Sequence, residues 1–80
     1  MSINEIFSTM RTLIAEQFAL SPDEITMETV FKEDLGADSM DLVELAMAME
    51  EEFEIGEMRE DDLSELKTVG DAVNYLARKL

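Results

Sequence analysis

The sequence predicts an all-α domain: a small four-helix bundle of three main helices and one short one, with a long loop between the first two. Three observations predict it. Apolar residues recur at intervals of three and four over residues 3–18, 39–53 and 69–80, the spacing that gathers them on one face of a helix. Each run begins at a residue suited to cap a helix, namely Ser2, Asp38 and Thr68, because a short side-chain oxygen can accept one of the unpaired N–H groups there. No stretch alternates apolar and polar residues as a half-buried strand would.

The first helix is set by Ser2 with Glu5, a capping-box pair, followed by Ile3, Ile6, Phe7, Met10, Leu13, Ile14 and Phe18. Residues 19–37 carry no sustained period. Within them Ser21-Pro22-Asp23-Glu24 reads as a capped single turn with proline at its first position. Ile25, Val30, Phe31 and Leu35 are too apolar for a solvated linker, so this loop is expected to lie across the core. Long ordered loops of this kind are often functional.

The second helix is predicted over Ser39–Phe53, with Leu42, Leu45, Ala46, Met49 and Phe53 as its buried stripe. It is expected to end in Glu54-Ile55-Gly56-Glu57, where Gly56 readily takes the left-handed conformation. A turn or short helix follows around Asp61–Leu66, with Leu63 and Leu66 apolar. The last helix carries Val69, Ala72, Val73, Leu76 and Leu80 on one stripe and ends in Arg78 and Lys79. Eighty residues make one domain, residues 1–80. A chain this short buries only about 60% of its unfolded surface.

Composition removes several function classes. The chain has 20 Asp and Glu against 6 Lys and Arg, a net charge of −14, so nucleic acid and membrane insertion are not expected and a protein with a basic patch is. With no cysteine and no histidine, the side chains supply no disulfide, no thiolate nucleophile, no Cys or His metal site and no histidine-based serine triad. Any thiol chemistry must be imported. No segment reads as a membrane span or a targeting leader, and a monomeric, cytoplasmic protein is expected. Against disorder, 46% of residues are hydrophobic.

Two features of the second helix admit more than one reading. Asp41, Glu44, Glu50, Glu51, Glu52 and Glu54 occupy its polar side without any Lys or Arg. The acids near its C-terminus oppose the helix dipole at about 0.3–1 kcal/mol each, the kind of local cost that marks a functional surface; a charge run serving solubility is the plainer reading. Ser39 stands in the first turn and exposed, where serine is commonly present for capping alone. Without a histidine to activate it, chemistry at Ser39 requires an external enzyme.

Leu35-Gly36-Ala37-Asp38-Ser39-Met40-Asp41, then Val43-Glu44-Leu45 and Met49-Glu50-Glu51-Glu52-Phe53, closely resembles the acyl carrier proteins of type II fatty acid and polyketide synthesis. The likeness extends over nearly the whole chain, through Phe31–Asp34 and Thr68-Val69 to Tyr75. It implies that a phosphopantetheinyl transferase attaches phosphopantetheine from coenzyme A to Ser39, so that the protein carries acyl thioesters and is not an enzyme. It implies that Asp38 assists that transfer by helping hold the transferase's divalent metal, while the chain itself keeps no metal. Asp41, Glu44, Glu50 and Glu51 match acidic positions, and Met40, Val43 and Met47 match apolar ones, that such carriers present to acyl-transferring, condensing and reducing enzymes with basic patches. Phe31, Leu42, Leu45, Ala46, Met49 and Leu66 are the implied lining of an acyl pocket, and equally the residues of a plain core.

Three departures from the housekeeping pattern point to a carrier dedicated to a second pathway. Met40 stands where Leu is usual, Leu42 where a smaller polar residue is frequent, and Gly56-Glu57-Met58-Arg59-Glu60-Asp61 lacks the common Ile-Pro-Asp. A peptidyl or aminoacyl carrier typically has a Gly-Gly-His run before its serine, unlike Gly36-Ala37-Asp38. A non-carrier acidic helical interaction module is the reading from another class. A calcium loop starting at Asp34 fails because Gly36 and Leu45 supply no side-chain oxygen at its third and twelfth positions.

Overall fold

A computed structural model describes all residues, Met1–Leu80. It contains α1 (Ile3–Phe18), a 3-10 turn (Pro22–Glu24), α2 (Phe31–Asp34), α3 (Ser39–Phe53), α4 (Glu60–Ser64) and α5 (Val69–Lys79). The chain is all-helical, and its one strand-like feature is an isolated bridge between Val30 and Thr68.

The long helices start as their sequences dictate. Ser2 Oγ accepts the Glu5 N–H at 3.2 Å and Glu5 Oε1 accepts the Ser2 N–H at 2.9 Å. Thr68 and Asp71 make the same reciprocal pair at 3.0 Å in each direction. Two donors that the helix cannot use are thereby satisfied at each start. The buried stripe of α3 is Leu42, Leu45, Ala46, Met49 and Phe53, as its period predicts. Ile6, Met10 and Ile14 of α1 and Val69, Ala72, Val73 and Leu76 of α5 meet it in the core. Ile3 and Leu80 continue the predicted stripes but lie 44% and 53% exposed, since each sits where its helix leaves the bundle.

The structure departs from expectation between α1 and α3. Phe31–Asp34 forms a short helix, α2, that periodicity did not announce. Four residues are too few to show a period, and the turn is held by one bond from far along the chain and one from its own last residue. The Phe31 N–H donates to Lys67 O at 3.0 Å, and Asp34 Oδ2 accepts the Val30 N–H at 2.7 Å. The loop does cross the core: Ile25 and Phe31 are buried and Leu35 packs against them. It is stitched to the start of α5 by Val69 N–H to Thr29 O at 2.9 Å and Gly70 N–H to Met27 O at 2.8 Å. A Cβ at position 70 would stand 3.0 Å from Met27 O, so the small residue permits that approach.

Two termini also differ. Helix α3 closes with Glu54 itself in the left-handed conformation (φ 51°), and Gly56 (φ 80°) follows as a second such residue. The side chain at Glu54 makes this closure cost roughly 1–2 kcal/mol. Helix α4 begins one residue before the predicted Asp61 and ends at Ser64, so Leu66 lies beyond it. None of its residues is buried. Two side-chain ties hold it: Glu50 Oε2 accepts the Met58 N–H at 2.6 Å, and the Tyr75 hydroxyl donates to Asp62 Oδ2 at 3.3 Å.

Asp62 gives this region an acid sensitivity. The Arg59 N–H, then the Tyr75 hydroxyl and the charges of Lys79 and Arg59, hold the Asp62 carboxyl below its ordinary 3.8 despite some desolvation. Burial, followed by the Asp62 carboxylate, pushes the Tyr75 phenol above its ordinary 10.0. A carboxyl depressed in the folded state stabilises the fold above its unfolded value and loses that contribution as pH falls through the folded one. The stability difference between the parent and Asp62→Asn, followed by urea unfolding, is therefore expected to shrink as pH is lowered below about 3.8. A difference constant down to pH 2 would contradict the role.

Candidate functional site

Ser39 is placed by the turn before it and the cap around it. Gly36 takes φ 66°, a left-handed value that favours glycine. Ala37 is buried and donates its N–H to Phe31 O at 2.9 Å, anchoring the turn on α2. Asp38 Oδ1 then accepts the Asp41 N–H at 2.9 Å, and Asp41 Oδ2 accepts the Asp38 N–H at 3.0 Å. A cap of this kind contributes about 1 kcal/mol. From α1, Gln17 Nε2 donates to Asp41 O at 2.7 Å. With both flanking acids engaged, Ser39 is the exposed first residue of α3 and its hydroxyl makes no hydrogen bond.

Ser39 also lies on the rim of a groove of about 520 Å³ between α3, α4 and the α2 end of the long loop. Leu42, Val43, Leu63 and Leu66 give it an apolar floor, and Lys32, Glu33 and Lys67 stand on its walls. A second groove of about 550 Å³ runs on the far side of Val43 and Leu63, bounded by Ala46, Met47, Glu50, Glu51 and Met58. Outward from these, Met40, Val43 and Met47 are 72%, 46% and 55% exposed. Glu44 and Glu51 are exposed beside them, whereas Glu50 is half-buried with its carboxylate on Met58.

Residues 8–76 match the family model described as the phosphopantetheine attachment site. An acyl carrier protein of Clostridium perfringens is 49% identical over 71 residues, covering 89% of this chain and 92% of the relative. That of Clostridium acetobutylicum is 48% identical over 71 residues, covering 89% and 91%. The chain belongs to the acyl carrier proteins. The fold agrees: an acyl carrier protein from Enterococcus faecalis superposes with a TM-score of 0.81 over 100% of both chains at 30% identity.

The cofactor of an acyl carrier protein is covalently attached phosphopantetheine, and the residues present fit it. A free, exposed hydroxyl stands on the rim of a groove with an apolar floor. Asp38 keeps one carboxylate oxygen without a hydrogen bond, the other being spent on the cap. The six residues named for an acyl pocket separate in space. Leu42 and Leu66 line the groove at Ser39, and Ala46 lines the second groove. Phe31, Leu45 and Met49 are wholly buried in the core and line neither.

Sequence reasoning did not single out Val30, Lys32, Leu63 and Lys67 as groove residues. Lys32 and Lys67 reach the same rim through the Val30–Thr68 bridge, a contact no local pattern reveals. No local signal marked Lys67, which lies 28 residues beyond Ser39.

The acid excess predicts a response to salt. Shortening the screening length from about 30 Å at 0.01 M salt to under about 10 Å above 0.1 M relieves repulsion among 20 acids. The melting temperature is expected to rise across that titration, and a flat profile would count against self-repulsion as a limit on stability.

Proposed function

We propose that Ser39 Oγ is the attachment point of the phosphopantetheine arm and that α3 is the surface read by the enzymes that load, extend and unload it. The observation that carries this reading is the free Ser39 hydroxyl, fixed at the start of α3 between two acids that bond each other. When attached, the arm supplies a terminal thiol that holds acyl groups as thioesters, which a chain without cysteine cannot supply. The capping pair of Asp38 and Asp41 holds the Ser39 backbone still, so a transferase meets a pre-positioned hydroxyl. The unbonded oxygen of Asp38 points this reading to a second role, helping to hold the transferase's divalent metal.

Asp41, Glu44, Glu50 and Glu51, with Met40, Val43 and Met47, form the partner face. Exposed methionines suit a surface that must fit several partners, because the side chain is flexible and polarizable. Charge complementarity then favours quick encounter and release. Such a protein is a carrier and not a catalyst, works as a single-domain monomer in the cytoplasm, and serves acyl-transferring, condensing and reducing enzymes. Met40, Leu42 and the Gly56–Asp61 segment support dedication to a second pathway; full replacement of a housekeeping carrier by this chain would overturn that part.

The test is the intact mass after incubation with coenzyme A, magnesium and a broad-specificity phosphopantetheinyl transferase. One phosphopantetheine increment is expected on the parent and none on Ser39→Ala, which should fold as the parent does because the side chain is exposed. An increment on Ser39→Ala, or none on a folded parent, would overturn the assignment; the second result would favour a non-carrier acidic interaction module.

A further inference from the structure

Seven methionines supply every sulfur atom of this chain, which has no cysteine. Met10, Met49 and Met58 are buried, and Met27 packs half-buried against the core. The exposed ones are Met1, Met40 and Met47, and two of these three stand on α3. Met40 follows Ser39 directly. Met47 lies seven residues further on, which is two turns along the same side of the helix, or about 10 Å. Val43 lies between them and is also exposed, so the three form one apolar ridge, with the exposed acids Glu44 and Glu51 beside it. Met47 borders the groove it shares with Glu50, Glu51 and Met58. Accessible sulfur is therefore concentrated on the ridge that starts at Ser39.

We infer that Met40 and Met47 form a reversible oxidation site through which hydrogen peroxide weakens docking on α3. This rests on the reading that α3 is the partner face. In the reaction a sulfur lone pair attacks one peroxide oxygen, and the O–O bond breaks as the S–O bond forms. The departing hydroxide takes the proton left on the transferred oxygen. Sulfur is oxidised by two electrons and peroxide is reduced, giving one sulfoxide and one water. Before the arm is attached, no thiol of the chain competes for the oxidant. Hydrogen peroxide is uncharged at neutral pH, so the net charge of −14 does not keep it away. The product side chain is polar where the ridge was apolar and pliable. A partner that covers the ridge must then strip water from the new oxygen without returning a hydrogen bond. Methionine sulfoxide reductases, one for each sulfur epimer, restore the thioether, so the change is a switch and not a lesion.

The experiment treats the unmodified parent and the double variant Met40→Leu with Met47→Leu with hydrogen peroxide, which catalase then removes. Peptide mapping by mass locates each added oxygen. The kcat/KM of a phosphopantetheinyl transferase is measured on the oxidised and untreated forms of both proteins, and again on the oxidised parent after both reductases. Leucine keeps the apolar bulk without the sulfur, and each protein is compared with itself, so any change in its own baseline rate cancels. Met40 and Met47 are expected to take oxygen before Met10, Met49 and Met58. In the parent, kcat/KM should fall roughly 10-fold on oxidation, the scale of one unpaired polar group at an interface, and recover on reduction. The variant should show no such fall. The melting temperature of the parent should move by less than about 4 °C, as for other surface changes. Oxygen entering the buried methionines first, an unchanged kcat/KM in the oxidised parent, an equal fall in the variant, or a fall with a larger loss of melting temperature would each overturn the inference. An untreated parent that accepts no phosphopantetheine would overturn the reading of Ser39, and this inference with it.

Discussion

Phe31→Ala is expected to destabilise the domain by about 3–5 kcal/mol, the usual cost of truncating a buried aromatic residue. A chain of this length has a total stability of about 4–12 kcal/mol, so the variant should lie near the edge of folding. Phe31 is 0% exposed, and its backbone is committed as well, its N–H to Lys67 O and its carbonyl to the Ala37 N–H. The cavity would open where the long loop, α5 and the turn before Ser39 converge. Urea unfolding should show a lowered midpoint with an unchanged slope. A loss below about 1 kcal/mol would mean that neighbouring side chains refill the space and that Phe31 is not central to the core. Ile3→Ala is the contrasting case, expected within about 0.5 kcal/mol of the parent, because Ile3 is half exposed.

Glu44→Lys together with Glu51→Lys is expected to slow association with a phosphopantetheinyl transferase by roughly 10- to 1,000-fold at low salt. The two residues lie seven apart on one side of α3 and both are exposed, and neither carboxylate has a hydrogen bond to lose. The loss should therefore fall on encounter and leave folding intact. Stopped-flow association at rising ionic strength is the measurement, and the rates of parent and variant should converge as the screening length falls below about 10 Å. Glu16→Lys with Glu28→Lys makes an equal charge change away from α3 and should retain most of the rate. Equal slowing by both pairs would assign the effect to net charge and not to a docking face. Glu50 is unsuited to this test because its carboxylate holds the Met58 N–H. Its replacement would confuse loss of charge with loosening of α4.

The parts of this molecule legible in its sequence are those governed by neighbours three or four residues away. The α3 stripe from Leu42 to Phe53, the Asp38 cap and the exposure of Ser39 all follow from local spacing and hydrogen-bonding habit. What escaped depends on residues brought together from afar. Helix α2 needs Lys67 O, and the groove at Ser39 needs Leu66 and Lys67 from a segment nearly thirty residues on. Glu50 reads as one more acid in a charged run, yet its carboxylate is half-buried against a backbone donor. Periodicity also cannot divide apolar residues between core and groove. Leu42 and Leu45 share one stripe, but only Leu42 faces the groove.

Helix α4 is one wall of both grooves, and of its own residues only Leu63 packs against the core, between Met58 before it and Leu66 after it, which are buried. Five residues are too few to sustain a helix alone, so its order is borrowed from the Met58, Leu63 and Leu66 anchors and from the Glu50–Met58 and Asp62–Tyr75 ties. In the hierarchy of local openings, such an element belongs at the low-energy end, far below global unfolding. A bulky occupant of the groove at Ser39 is therefore expected to raise amide hydrogen exchange in α4 before it does so in α1, α3 or α5.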